Sequence, residues 1–310
     1  MKGICKVQIS LPGKEKEPEA AVKKDDGENR LTGRLAGRRR KTEMSEQERY
    51  VCEHRHKHHQ ITALRVLILA AFLLLWEIAA KTDLIDSFFF ASPSIIAECF
   101  MELLEKNTLG VHLAASIGEV LVSFVLIIVL SLAAAVLLWW SDFLSRILET
   151  FLVVLNSLPK SALAPLIIVW IGTGTKAIIV AGISVALFGS IISLYSGFRE
   201  TDEEKILLVR CLGGRKRDVL TRVVLPSGIP NIFSVMKVNI GLALVGVVIG
   251  EFFAGRVGLG YLIIYGTQIF DLSSVITSII LLCILAMLMY QALQLAEHRY
   301  YRKTGLENMK

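Results

Sequence analysis

Residues 201–226 read TDEEKILLVRCLGGRKRDVLTRVVLP, a charged stretch set between long runs of uncharged, apolar residues. Thr201 is placed to cap a helix, with Glu204 three residues on to reach back to it, and Asp202, Glu203 and Glu204 suit the positive end of a helix dipole. Ile206, Leu207, Leu208 and Val209 continue that helix, and Gly213 and Gly214 end it. Arg215 to Val224 then reads as a second short helix, stopped before Pro226. A helix, a glycine break and a helix between membrane-length apolar runs make a loop exposed to one aqueous compartment. Its six cations (Lys205, Arg210, Arg215, Lys216, Arg217, Arg222) assign that compartment as the cytoplasm.

Composition says the same of the whole chain. Its 310 residues are 54% hydrophobic and 20% charged, with a mean hydropathy of +0.57, which excludes an ordinary soluble domain. The net charge of +6 is concentrated in the first sixty residues and the loops, so it describes flanks of a membrane protein and implies no nucleic-acid partner. Five cysteines (Cys5, Cys52, Cys99, Cys211, Cys283) are scattered without a close pair, so neither a disulfide framework nor a metal site is expected. Residues 1–60 are polar, basic and poor in aromatics, and are expected to form a disordered cytoplasmic tail, with Met44 an alternative start. Within it, Arg38 to Lys41 suit anionic lipid, while His54, His56, His58 and His59 read as a charged flank, since no carboxylate or cysteine scaffold accompanies them.

Six apolar stretches follow, at about 63–80, 115–139, 147–171, 177–198, 230–254 and 272–295, each near the roughly 20 residues that cross a bilayer as a helix. None alternates polar and apolar as a barrel strand must. The fold class is therefore an all-α integral membrane protein with six transmembrane helices. The first span follows the basic tail, and the last precedes Arg299, Arg302 and Lys303. Both termini are thus expected in the cytoplasm, with a tail at 1–60, a six-span domain at 61–300 whose cytoplasmic loop is 201–228, and a short tail at 301–310. Between the first two spans, Ser92 and Pro93 read as the entry to an interfacial helix running from Ile95 to Leu104.

The loop resembles the EAA loop of ABC-importer permeases. That pattern is Glu-Ala-Ala, three residues, Gly, nine residues, Ile, one residue, Leu-Pro; here Gly213, Val223 and Leu225-Pro226 stand at its spacing, with Leu207-Leu208-Val209 in place of Glu-Ala-Ala. Further resemblances run in order along the chain. They are Asn156-Ser157-Leu158-Pro159, Ala162-Leu163-Ala164-Pro165-Leu166, Trp170-Ile171-Gly172, and Gly258-Leu259-Gly260-Tyr261-Leu262. With the external segment around Phe88-Phe89-Phe90, they identify the chain as similar to the permease subfamily that imports nitrate, taurine, alkanesulfonates and thiamine-precursor pyrimidines. The resemblance implies the type I importer permease fold, a homodimer in membrane lipid, ABC ATPase subunits below and an extracytoplasmic solute-binding protein above. It also implies that Glu204, Leu207, Leu208, Gly213, Val223, Leu225 and Pro226 engage the ATPase. No phosphate-binding loop occurs in the chain, so no catalytic residue or bound cofactor is expected in it; magnesium and ATP belong to the partner ATPase.

Ionisable residues inside a membrane are costly and usually face protein or water. Lys160, between Pro159 and Pro165 in the third span, would cost roughly 2.5–3.5 kcal/mol at the bilayer centre. With Asn156 and Pro159 it is a candidate for the translocation path, the alternative being a lysine that snorkels to the inner interface. Glu251 either orders the external turn by accepting from Gly258 to Tyr261 or meets solute. Glu119 has Lys160 and Lys237 as candidate partners, while Glu77 and Lys237 read as interfacial. The cargo stays open between a thiamine-precursor pyrimidine and a sulfonate-, taurine- or nitrate-like anion. The alternatives in other classes are a membrane enzyme or sensor whose loop recruits another cytosolic protein, and an ion-coupled secondary transporter.

Overall fold

A computed structural model describes residues 64, 67, 68, 70–82, 91–106 and 108–304. The expected tail at 1–60, residues 305–310 of the second tail, the histidine cluster and Phe88 to Phe90 lie outside the described residues. The chain divides into two units between residues 71 and 72, and the second unit holds all the helices that carry candidate residues.

All regular structure among the described residues is helical. Residues 72–81 form α1, followed by α2 (Pro93–Glu105), α3 (Thr108–Trp140), α4 (Asp142–Ser157), α5 (Lys160–Ile171) and α6 (Thr175–Arg199). Then come α7 (Glu203–Cys211), the four-residue α8 (Lys216–Val219), a π-helical turn (Leu220–Val224), α9 (Leu225–Ala254), α10 (Leu259–Gln268) and α11 (Leu272–Thr304). Among the described residues, four helices are long and apolar enough to cross a membrane: α3, α6, the continuous run Lys216–Ala254, and α11. A fifth span results if α4 and α5 count as one. Of the expected first span, 63–80, residues 64, 67, 68 and 70–80 are helical and the others lie outside the described residues.

Two expectations are corrected. The third span is not one helix but α4 and α5, bent by 96° at Leu158–Pro159. Proline biases the residue before it toward extended backbone, and both residues are extended here, with ψ of 139° and 105°. The second short helix of the loop does not stop before Pro226 either. It runs through to Ala254, because the π turn shifts the Leu225 N–H onto the Leu220 carbonyl, five residues back. That wider turn makes room for a proline ring that would otherwise meet the carbonyl four residues earlier.

The packing inverts that of a soluble protein. Exposed positions on α3 and α11 are large and apolar, including Val125, Val129, Ile284 and Leu288, whereas Ser116, Ser123, Ser131, Ser190, Thr277 and Ser278 are buried. Hydrocarbon solvates leucine as well as a protein core does, so close approach and hydrogen bonding hold such helices together. Helices α6 and α9 show it most clearly. A Cβ on Gly246 would lie 2.8 Å from the Gly182 Cα, and one on Gly250 would lie 2.9 Å from the Ile178 Cα. Ser190 donates to the Asn239 side-chain oxygen at 2.8 Å inside the same seam, and Asn231 donates to the Ser193 carbonyl at 3.1 Å.

Gly250→Leu is therefore expected to remove most folded protein from detergent extracts, since overpacking against a backbone costs about 1–3 kcal/mol or more. Gly241→Leu, with nothing within 4 Å of its Cβ, is expected to melt within a few degrees of wild type, and equal melting of the two variants would contradict the seam.

Candidate functional site

Three places carry the residues singled out from sequence, beginning with the loop. Asp202, not Thr201, caps α7: its Oδ1 accepts from the Glu204 N–H at 3.0 Å, and Glu203 and Glu204 fill the first turn. Thr201 is instead buried, its hydroxyl 3.4 Å from that of Ser227 at the start of α9. A short polar side chain one residue later reaches the free N–H groups, while tertiary packing claims the threonine. At the other end, the Gly213 N–H donates to the Arg210 carbonyl at 3.0 Å and the Gly214 N–H to the Val209 carbonyl at 2.9 Å, a Schellman cap. Gly213 has φ of +84°, which favours glycine, and Asp218 then accepts from the Arg215 N–H at 2.9 Å to start α8.

Ile206 and Val209 seat α7 against a cluster that includes Phe198, Val219, Leu220 and Val224. The rest of the helix faces outward. Leu207 and Leu208 are each 61% exposed and Leu212 is 79% exposed, an apolar surface on a loop beyond the ends of the spans. Glu204 and Gly213 lie on the exposed side of the same loop, whereas Val223, Leu225 and Pro226 belong to the π turn and the start of α9.

The second place is the bend between α4 and α5. Lys160 is the first residue of α5, half-buried, and its ammonium donates to the Asn156 carbonyl. That carbonyl is one of the last of α4, left without a helical partner by the break, so the lysine substitutes for the missing N–H. The Asn156 side chain lies against α6, 3.2 Å from where a Cβ on Gly189 would sit. Asn156, Pro159 and Lys160 therefore share one interruption, and Glu251 lies elsewhere.

Glu251, near the end of α9, is wholly buried. It accepts from the Ser116 hydroxyl at 2.6 Å and from the Gly260 N–H at 2.5 Å, with a further bond from the Tyr261 N–H. Ser116 in turn accepts from the Leu259 N–H at 2.8 Å, and His112 Nδ1 accepts from the Gly258 N–H at 3.0 Å. The four free N–H groups that open α10 thus converge on side chains of α3 and α9. Glu119 joins this knot beside Thr175 and Glu251, not beside Lys160 or Lys237. Lys237 pairs with Glu297 of α11 at 2.6 Å, and Glu77 pairs with Lys81 at 2.9 Å while accepting from Ser94 at the start of α2. His112, Ser116 and Glu119 were not read from sequence as one site. Their spacing of four and three residues is the signal, since it sets them on one face of α3.

A family model described as "binding-protein-dependent transport system inner membrane component" matches residues 127–300, which take in the bend, the loop and Glu251. The chain is 26% identical to the formylaminopyrimidine transport permease protein ThiX of Halalkalibacterium halodurans, over 73% of this chain and 90% of that one. It is also 26% identical to the putative aliphatic sulfonates transport permease protein SsuC of Bacillus subtilis, over 76% of this chain and 85% of that one. Among solved structures, an inward-facing MetNI methionine ABC transporter superposes with a TM-score of 0.55 at 22% identity, covering 66% of this chain and 98% of the matched chain. That last likeness is one of fold.

Replacing Glu251 by Leu would strand the Gly260 N–H and the Ser116 hydroxyl, at about 1–3 kcal/mol for each buried unpaired group. The expected result is a melting temperature well below that of Glu251→Gln, which keeps one acceptor oxygen, with faster amide exchange at 258–261. Wild-type melting and exchange in both variants would show that the carboxylate does not hold the turn.

Proposed function

The chain belongs to the family of binding-protein-dependent transport system inner membrane components, and from that membership we propose how its parts serve an ABC importer. It is the permease subunit, a multi-pass component of the cell membrane. In the finer reading, six spans place both termini and the 201–226 loop in the cytoplasm, two copies form the pathway, and separate ATPase subunits bind magnesium and ATP. A solute-binding protein delivers cargo to the opposite face.

The observation that carries this reading is the outward apolar surface of α7. Leu207, Leu208 and Leu212 stand exposed on a short helix whose inner side is anchored by Ile206 and Val209. Water solvates such a surface poorly, so a partner protein is its natural cover. Glu204, Leu207, Leu208 and Gly213 then form the contact with the ATPase, while Val223, Leu225 and Pro226 carry its displacement into α9. ATP-driven closure of the ATPases would rock the two permease copies between inward- and outward-open states.

Asn156, Pro159 and Lys160 are assigned to the path. Non-helical backbone at membrane depth is tolerated where it is buried in protein or lines a water-filled cavity, and the bend supplies such backbone. Glu251 is assigned to the outer turn, where it holds the start of α10 and communicates with solute through that turn. For cargo we favour a thiamine-precursor pyrimidine, a reading supported by the relative named for formylaminopyrimidine transport. A sulfonate-like anion is the second reading, favoured by the half-buried Lys160 charge.

In proteoliposomes with the cognate ATPase and binding protein, Leu208→Asp is expected to cut ATPase co-purification at least tenfold without lowering the permease's own melting temperature. Gly213→Pro, whose ring cannot adopt positive φ, is expected to abolish stimulated hydrolysis. Failure of any ATPase to associate would favour a membrane enzyme or sensor. Lys160→Met is expected to slow uptake at least tenfold in intact complexes, and unchanged uptake would remove Lys160 from the path.

A further inference from the structure

A cavity of about 310 Å³ opens between α4, α6 and α7, on the side of the membrane that carries the loop. Four cations from four helices line it: Arg146 of α4, Arg199 of α6, Arg210 of α7 and Lys216 of α8. Asp142, Glu149 and Glu203 share its rim, yet none of them forms an ion pair within 4.0 Å with any of the four among the described residues. Two of the cations, Lys216 and Arg199, are held by other means. Lys216 donates to the Trp140 carbonyl at 2.7 Å and lies 5.6 Å from the centre of the Trp139 ring, and the Arg199 guanidinium lies 5.9 Å from that of Tyr195. Ring faces fix the position of a cation while leaving most of its N–H donors unused. The buried residues Ser145 and Thr201 also line it, and α4, a 16-residue helix capped by Ser141, begins at its edge.

Such a site suits an oxyanion with several acceptor oxygens, a phosphate group above all. The surroundings say how the phosphate is carried. Trp139, Trp140 and Tyr195 sit where α3 and α6 end, the depth at which aromatic rings mark the membrane–water boundary. From there α4 continues with Phe143 (77% exposed), Ile147 and Phe151 facing outward, an apolar track beside the cavity that a soluble anion has no use for.

We propose that this cavity seats the headgroup phosphate of one anionic phospholipid per chain, from the leaflet on the loop's side, with an acyl chain along the outward face of α4. Arg146, Arg199 and Arg210 would then be bridged by a single group. Because Arg210 belongs to α7, the lipid ties the loop helix to α4 and α6 and makes its orientation depend on the leaflet. The inference requires that the chain span the membrane and is independent of which partner covers Leu207, Leu208 and Leu212.

Native mass spectrometry of the full chain in detergent, titrated with phosphatidylglycerol or phosphatidylcholine, tests it. The expected result is one retained phosphatidylglycerol per chain, weakened on the order of a hundredfold by combining Arg146→Gln, Arg199→Gln and Arg210→Gln. A control combining Lys205→Gln and Arg217→Gln removes loop charge away from the cavity and is expected to bind as wild type. Equal weakening in both variants would reduce the effect to diffuse charge and overturn the site. Displacement of the lipid by an equal concentration of inorganic phosphate would overturn the lipid as the source. Its expulsion when the cognate ATPase is added would assign the cavity to an acidic segment of that subunit instead.

Discussion

A peptide group inside hydrocarbon has no water to bond to, so each N–H and C=O must find a partner within the protein. That constraint makes the chain helical, and it also governs where the helices fail. At Leu158–Pro159 the last carbonyls of α4 lose their helical donors, and the Lys160 ammonium takes one of them. At Pro226 the missing N–H and the bulk of the ring are absorbed by a π turn, so the helix passes through. At the entry to α10, the free N–H groups fall on Glu251, Ser116 and His112. Each irregularity marks a place where the fold does something other than cross the membrane.

The same constraint connects two of these places. The continuous run Lys216–Ala254 has 39 residues and, at 1.5 Å per residue, is about 58 Å long. One end is the loop, held by the Schellman cap at Gly213 and Gly214; the other carries Glu251 and the knot that fixes the start of α10. Gly246 and Gly250 press this rod onto α6, whose own end carries Arg199 and the buried Thr201. The loop helix is thus fastened to the two helices that pack most closely, while its leucines remain free.

Much of this is legible in the residues alone. The helix-glycine-helix loop, the span positions and the entry to α2 at Ser92–Pro93 follow from local rules of capping, periodicity and hydropathy, which act over a few residues. What local rules misjudged were competitions. Thr201 and Asp202 can both cap a helix, and only the packing of Thr201 against Ser227 decides between them. Pro226 and Pro159 are both helix breakers by residue type, yet one is accommodated and the other bends the chain by 96°. Gly246 and Gly250 are small enough for any close helix contact, and it is the packing that sets them against α6 of the same chain.

The amino-acid sequence alone makes the chain a helical membrane protein with a basic, helix-forming loop, because hydropathy, charge and capping are properties of residues and their near neighbours. It also determined the family, because spaced Gly and Leu-Pro anchors persist as letters. Packing in three dimensions sets which charged side chains meet. Glu119 sits with Glu251, and Lys237 pairs with Glu297 sixty residues away. It alone gathered Arg146, Arg199, Arg210 and Lys216 around one cavity. Such pairings depend on how rotated helices pack side by side, and the rotation is set by close contacts along whole helix faces rather than by any short stretch of chain.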